Sequence, residues 1–203
     1  MNKQLLKKFF FSFIWLAVIL YGIDLATKLL IGLNYHAGDT VATLIPGFLR
    51  IQLVFNENAA FGIGTSNAIL NRVLYIVIAF IIIGIIIAFY IIKRKKINAI
   101  VKACLMLIVA GAFGNLTDRL FFSFSNYCVV DWIDFYGIWA WHFNIADSCV
   151  VVGGIMLIVY LIVDEIKTNL KKKEEKKIPE GKVLSNEEKR RLDYEESEKK
   201  DEK

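Results

Sequence analysis

The chain has 203 residues, of which 56% are hydrophobic and 22% charged, with only two prolines and a formal net charge of +5. A mean hydropathy of +0.50 excludes a disordered protein and argues against an ordinary water-soluble domain. No internal repeat divides the chain, so one membrane domain is expected over residues 1–165 and a charged cytoplasmic tail, disordered or loosely helical, over 166–203.

A membrane span needs roughly 20 residues, because ~30 Å of hydrocarbon is crossed at ~1.5 Å per residue. Residues 9–33, 69–92 and 97–117 meet this, and 148–163 does so if residues from His142 onward extend it. Lys3, Lys7 and Lys8 precede the first run. Lys93, Arg94, Lys95 and Lys96 join the second and third, and Lys167 and Lys171 to Lys173 follow the fourth. Loops 34–68 and 118–147 hold only Arg50 and Arg119 as cations. Basic residues gather on the cytoplasmic side, so both termini are expected inside and both long loops outside.

The N-terminal lysines and apolar run are also the outline of a secretory signal. The run is too long and lacks a small-residue cleavage site, so it is expected to be retained as the first helix. Of the three cysteines, Cys104 and Cys149 fall in apolar helices and Cys128 in the outer loop. No zinc spacing is present, and small packing residues are the expected role.

In chain order, the first helix ends in GIDLATKLLIG, where Asp24 and Lys28 share one face with the acid placed N-terminally. An ion pair that fixes the helix in a bundle is one reading. A lysine that neutralises neighbouring acids, or touches lipid phosphate, is the other. Loop 34–68 contains a strand signal after Pro46-Gly47: Leu49, Ile51, Leu53 and Phe55 alternate with Arg50, Gln52 and Asn56. A small sheet with one apolar face fits, as does a plain hairpin with no role in binding. The second helix is scaffold, with Asn71 and Arg72 as its outer polar residues.

The third helix ends in AGAFGNLTDR, whose small residues allow close packing. Asp118 and Arg119 are expected to form a structural clasp there. Aromatic residues then crowd 120–141, the pattern of an interfacial belt or a lid. The last helix opens at FNIADS, with Asn144 as N-cap and Asp147 facing the positive helix end. Capping alone would account for that aspartate. The stretch 111–148 nevertheless carries Asp118, Asp131, Asp134 and Asp147. Carboxylates bounded so closely by spanning runs are costly and mark a functional site.

These motifs resemble those of lipoprotein signal peptidases (signal peptidase II), bacterial membrane aspartic peptidases. The matching pieces are DLATK at 24–28, NENAAFG at 56–62, GAFGNLTDR at 111–119, VVDWID at 129–134 and FNIADS at 143–148. Asn58 departs from the family's usual glycine. The resemblance implies an all-α polytopic membrane protein: four transmembrane helices with a small extracytoplasmic β-sheet and a short interfacial helix. It implies Asp131 and Asp147 as the catalytic pair; the positive end of the last helix makes Asp147 the expected ionised partner. Asp24, Lys28, Asn56, Asn115, Arg119 and Asn144 would support the site or contact substrate and globomycin-type inhibitors.

The implied substrate is a diacylglyceryl-modified prolipoprotein, cut before its lipidated cysteine in the bacterial cytoplasmic (inner) membrane, at the outer leaflet. Membrane lipid is the other implied partner, with no nucleic acid. No cofactor or metal is called for, although His142 near Asp147 leaves a metal site as a rival. The rival activity is an ion- or proton-coupled transporter using Asp24, Lys28, Asp118 and Asp147 as a relay. A transporter would distribute acids through the membrane depth, whereas the inner halves of the helices have none. A non-catalytic lipid-binding or assembly protein gives no reason for two acids flanked by asparagines.

Overall fold

The computed structural model describes residues 12–58, 64–177 and 190–191. Lys3, Lys7, Lys8, part of the NENAAFG stretch and most of the tail lie outside the described residues. Among the described residues, four helices are long and apolar enough to cross a membrane: α1 (Ile14–Gly32), α2 (Ala68–Lys93), α3 (Ala99–Phe121) and α4 (Ile145–Lys177). Between them stand β1 (Thr40–Ile45), β2 (Leu49–Asn56), β3 (Val129–Asp134) and β4 (His142–Phe143), with a 3-10 turn at Ser123–Ser125.

Asparagines set the starts of α2, α3 and α4. Asn67 Oδ1 accepts from the Leu70 N–H, and Asn98 Oδ1 accepts from the Val101 N–H, so each satisfies a first-turn donor. α4 begins three residues before the expected 148, directly after Asn144, and continues to Lys177 rather than ending at 163. Residues from Leu161 onward group as a second unit. Residues 166–177 of the expected tail lie within α4. Many side chains on α2 and α4 are exposed and apolar, including Ile69, Phe80, Ile92, Ile155 and Ile158. Only lipid makes that exposure inexpensive. α3 is the most enclosed of the four.

The strands form one antiparallel sheet in the order β1-β2-β3-β4. Pro46 and Gly47 make the β1–β2 turn, with Gly47 at φ +74° and the Phe48 N–H donating to the Ile45 carbonyl at 3.0 Å. This is the positive φ that a type II turn requires of its third residue. A register shift between Ile51 and Val54 sets Val54 opposite Asp131. On the sheet face away from Asp131, Leu53 and Val130 pack with Ile31 of α1 and with Phe122. That core fastens the sheet to the ends of α1 and α3. A second cluster of Tyr90, Val101, Leu105 and Met106 joins α2 to α3 at their other ends.

Candidate active site

Asp131 sits near the start of β3, 2% exposed. Its Oδ1 accepts from the Asn144 side-chain amide at 2.7 Å, and its Oδ2 accepts from that of Asn56 at 2.9 Å. Asn56 ends β2 and faces Asp131 diagonally across the strand pair.

Asp147 lies in the first turn of α4. Its Oδ1 accepts from the Asn115 amide at 2.7 Å, and its Oδ2 accepts from the Asn144 N–H at 3.1 Å. In return, the Asp147 N–H donates to Asn144 Oδ1 at 2.8 Å. This is a capping box with the acid three residues after the cap. The capping role and the site role fall on the same residues. Asn144 is hydrogen-bonded to both acids at once, which brings residues far apart in the folded topology to one point.

Behind the pair stands Lys28, fully buried. Its ammonium meets Asn115 Oδ1 at 3.0 Å, Asp24 Oδ2 at 2.9 Å and Asp118 Oδ2 at 2.8 Å, which uses all three donors. Asp24 also accepts from the Ala146 N–H at 2.8 Å, and Asp118 from the Val130 N–H at 3.2 Å. One buried cation thereby ties α1 and α3 together, and its two acids reach the beginnings of α4 and β3. Removing one partner from such a buried cluster costs about 3–5 kcal/mol. The lysine is sealed from solvent, so contact with lipid phosphate is ruled out.

The expected clasp between Asp118 and Arg119 is not formed. Asp118 turns to Lys28, while Arg119 donates to the backbone carbonyls of Asn115 at 3.2 Å and Asn58 at 3.0 Å. The reason is geometric: neighbouring residues on a helix point in different directions. Asp134, at the far end of β3, pairs with Arg50 instead of joining the acid pair. His142, on which a metal alternative would rest, contacts Gln52 at 3.1 Å and Asp134 at 3.8 Å. Burial holds its pKa below the usual histidine range, so the ring is neutral at pH 7.

Two asparagines given no site role in the sequence reading matter here. Asn58 donates its N–H to Asn56 Oδ1 at 2.9 Å and presents its carbonyl to Arg119, so its backbone links two site residues. Asn71 is 1% exposed and donates to Asn58 Oδ1 at 3.1 Å. An amide inside an otherwise isoleucine-rich helix was the available signal, because an unpaired one would be costly there.

Asp131, Asp147, Asn56, Asn115 and Arg119 line one cavity of about 430 Å³. Asn58 and His142 also reach it, and the rest of its lining is mostly apolar, with Tyr75, Ile78 and Ile82 from α2, Ala112 from α3, and Val150 and Val151 from α4. The acids thus meet the end of a greasy trough between spanning helices. Burial first, and the charge of Asp147 second, push the Asp131 carboxyl up to about 8. Two carboxyls so arranged do not both ionise at neutral pH.

A family description, signal peptidase (SPase) II, matches residues 16–163. The chain belongs to the signal peptidase II family. The lipoprotein signal peptidase of Fusobacterium nucleatum is 35% identical over 161 residues, covering 79% of this chain and 90% of that protein. That of Desulfitobacterium hafniense is 39% identical over 155 residues, covering 74% and 94%. Among solved structures, a bacterial membrane enzyme determined by the in meso method superposes with a TM-score of 0.65. It is 32% identical and covers 75% of this chain and 88% of that one. As a member of a peptidase family, the chain is a protease embedded in the membrane by its four apolar helices.

Proposed function

We propose that this chain is an aspartic endopeptidase that removes the signal peptide from lipid-modified bacterial prolipoproteins, with Asp131 and Asp147 as its catalytic acids. The observation that carries the reading is the single asparagine, Asn144, bonded to both carboxyls at the polar end of an apolar trough. A lipidated signal peptide is itself an apolar helix with acyl chains attached, and such a trough accepts both from the side.

Asp147 acts as base. Its oxygens receive N–H donors from Asn115 and Asn144, which suit a carboxylate, and it lies at the positive end of α4. It takes a proton from water while the water oxygen attacks the scissile carbonyl. Asp131 holds the pair's proton, polarises that carbonyl, and then protonates the departing amine. Neutral amides orient both acids without competing for the proton. Lys28 locks Asn115 through its Oδ1, so Asn115 presents its NH₂ to Asp147. Arg119 and Asn58 fix the wall beside Asn56. Globomycin-type inhibitors are expected to occupy the same cavity.

The enzyme lies in the bacterial cytoplasmic membrane, with both termini inside and the acid pair at the outer leaflet. Residues 1–165 are the peptidase domain and 166–203 an appended charged segment. A transporter relay finds less support, because Asp24 and Asp118 are committed to a buried lysine and do not line the trough.

Asp131→Asn and Asp147→Asn should each reduce cleavage by at least about 10²-fold, the usual contribution of a general acid or base. Both proteins should still insert and fold, because asparagine keeps the shape of the carboxyl. Cleavage of a lipidated precursor by gel shift measures this. Normal processing by either variant would end the assignment.

A further inference from the structure

A second cavity, of about 230 Å³, shares Arg119 with the first and is lined by Glu57, Ile69, Arg72, Tyr127 and Cys128. It is smaller than the ~300–1,000 Å³ typical of ligand clefts, so it suits a compact polar group better than a peptide. Arg72 is held rigidly there. Its Nε donates to the Arg119 carbonyl at 2.8 Å, and its guanidinium lies 3.6 Å over the Tyr127 ring. Tyr127 itself sits at φ 61°, following Asn126 at φ 53°. A bulky side chain seldom adopts that backbone region, and such positions recur at binding sites. Among the described residues, Arg72 has no carboxylate partner and Glu57 no cationic one. Opposite charges therefore line one small cavity without neutralising each other.

The depth of the cavity narrows the ligand. Arg72 is one turn inside α2, and its neighbours Ile69 and Val73 are 76% and 53% exposed. A charged cavity thus opens where the apolar, lipid-facing surface of a spanning helix begins. That is the level at which a phospholipid headgroup joins its chains.

We propose that this cavity binds a zwitterionic phospholipid headgroup bearing a primary ammonium, with the phosphate on Arg72 and the ammonium on Glu57. The acyl chains descend past Ile69 and Val73. A phosphate alone would leave Glu57 as an uncompensated like charge. A glycerol headgroup would leave it without a cation, and a trimethylammonium cannot donate the charge-assisted hydrogen bond that a primary ammonium can. The proposal rests on α2 crossing the bilayer and is independent of the roles given to Asp131 and Asp147.

Cys128 supplies a readout, since its half-buried free thiol lines the same cavity. Full-length protein in nanodiscs of phosphatidylcholine, of phosphatidylcholine with phosphatidylethanolamine, or of phosphatidylcholine with phosphatidylglycerol is alkylated by a small water-soluble maleimide. Modification at Cys128 is followed by peptide mass. The expected result is several-fold slower alkylation with phosphatidylethanolamine, lost in both Glu57→Gln and Arg72→Gln. The ratio is taken within each variant, because burial first and the charge of Glu57 second raise the Cys128 pKa. Glu57 is exposed, so its variant folds even if Arg72→Gln does not. Equal rates in all discs, equal protection by phosphatidylglycerol, or protection that survives Glu57→Gln would overturn the proposal. Equal protection by soluble phosphoethanolamine in phosphatidylcholine discs would overturn its lipid source.

Discussion

Single residues here carry several duties, and Asn144 carries the most. It begins α4, orients Asp131, and touches Asn115 at 3.1 Å. The proton balance of the pair has a consequence that pH can test. With Asp131 raised to about 8, the working form holds its proton below that pH and loses it above. The profile of kcat/KM should therefore fall on an alkaline limb near pH 8, about tenfold per pH unit. The Asn56 amide favours the ionised form of Asp131, so Asn56→Ala should move that limb to higher pH while lowering activity. A limb that stays in place would mean that Asp131 is not the group titrating. Much at this scale was readable in advance. Asp24 and Lys28 are four residues apart and pair as helical spacing requires. Asp118 was misassigned to Arg119 because its true partner lies on another helix, and only packing could supply it.

At the level of elements, the close approach of α3 to α1 and α4 depends on Gly114. A Cβ there would overlap the Asp24 carboxylate and stand 2.7 Å from the Ala146 Cβ. Gly114→Ala should therefore destabilise the bundle by about 1–3 kcal/mol, the usual cost of overpacking. It should also pull Asp24 from the Ala146 N–H, lowering activity and the Tm in detergent together. An unchanged Tm would show that the helices have room to part. The apolar spans, the Pro-Gly turn and the small-residue face were legible, since each is a local pattern. β3 and β4 were not, because VVDWID lacks alternation and its pairing partner lies in the other loop. The register shift beside Val54, which positions Asp131, exists only in that pairing.

For the molecule as a whole, the proposed orientation follows from where the lysines and arginines fall. Single cysteines introduced at Lys95 and at Phe48, in a background with Cys104, Cys128 and Cys149 replaced, should differ in labelling by a membrane-impermeant reagent on intact spheroplasts. Phe48→Cys should label and Lys95→Cys should not until the membrane is opened. The reverse pattern would put the acid pair on the wrong side for a translocated substrate.

The start of α4 has one further consequence, and it concerns biosynthesis. Asp131 belongs to the strand that precedes the final span, whereas Asp147 and its orienting partner Asn144 arrive at the threshold of that span. Chains emerge N-terminus first, so a partly translated copy owns one acid and lacks the other. On the proposed chemistry, cutting power switches on only when the closing helix threads into the bilayer, and an unfinished copy does no damage to its neighbours.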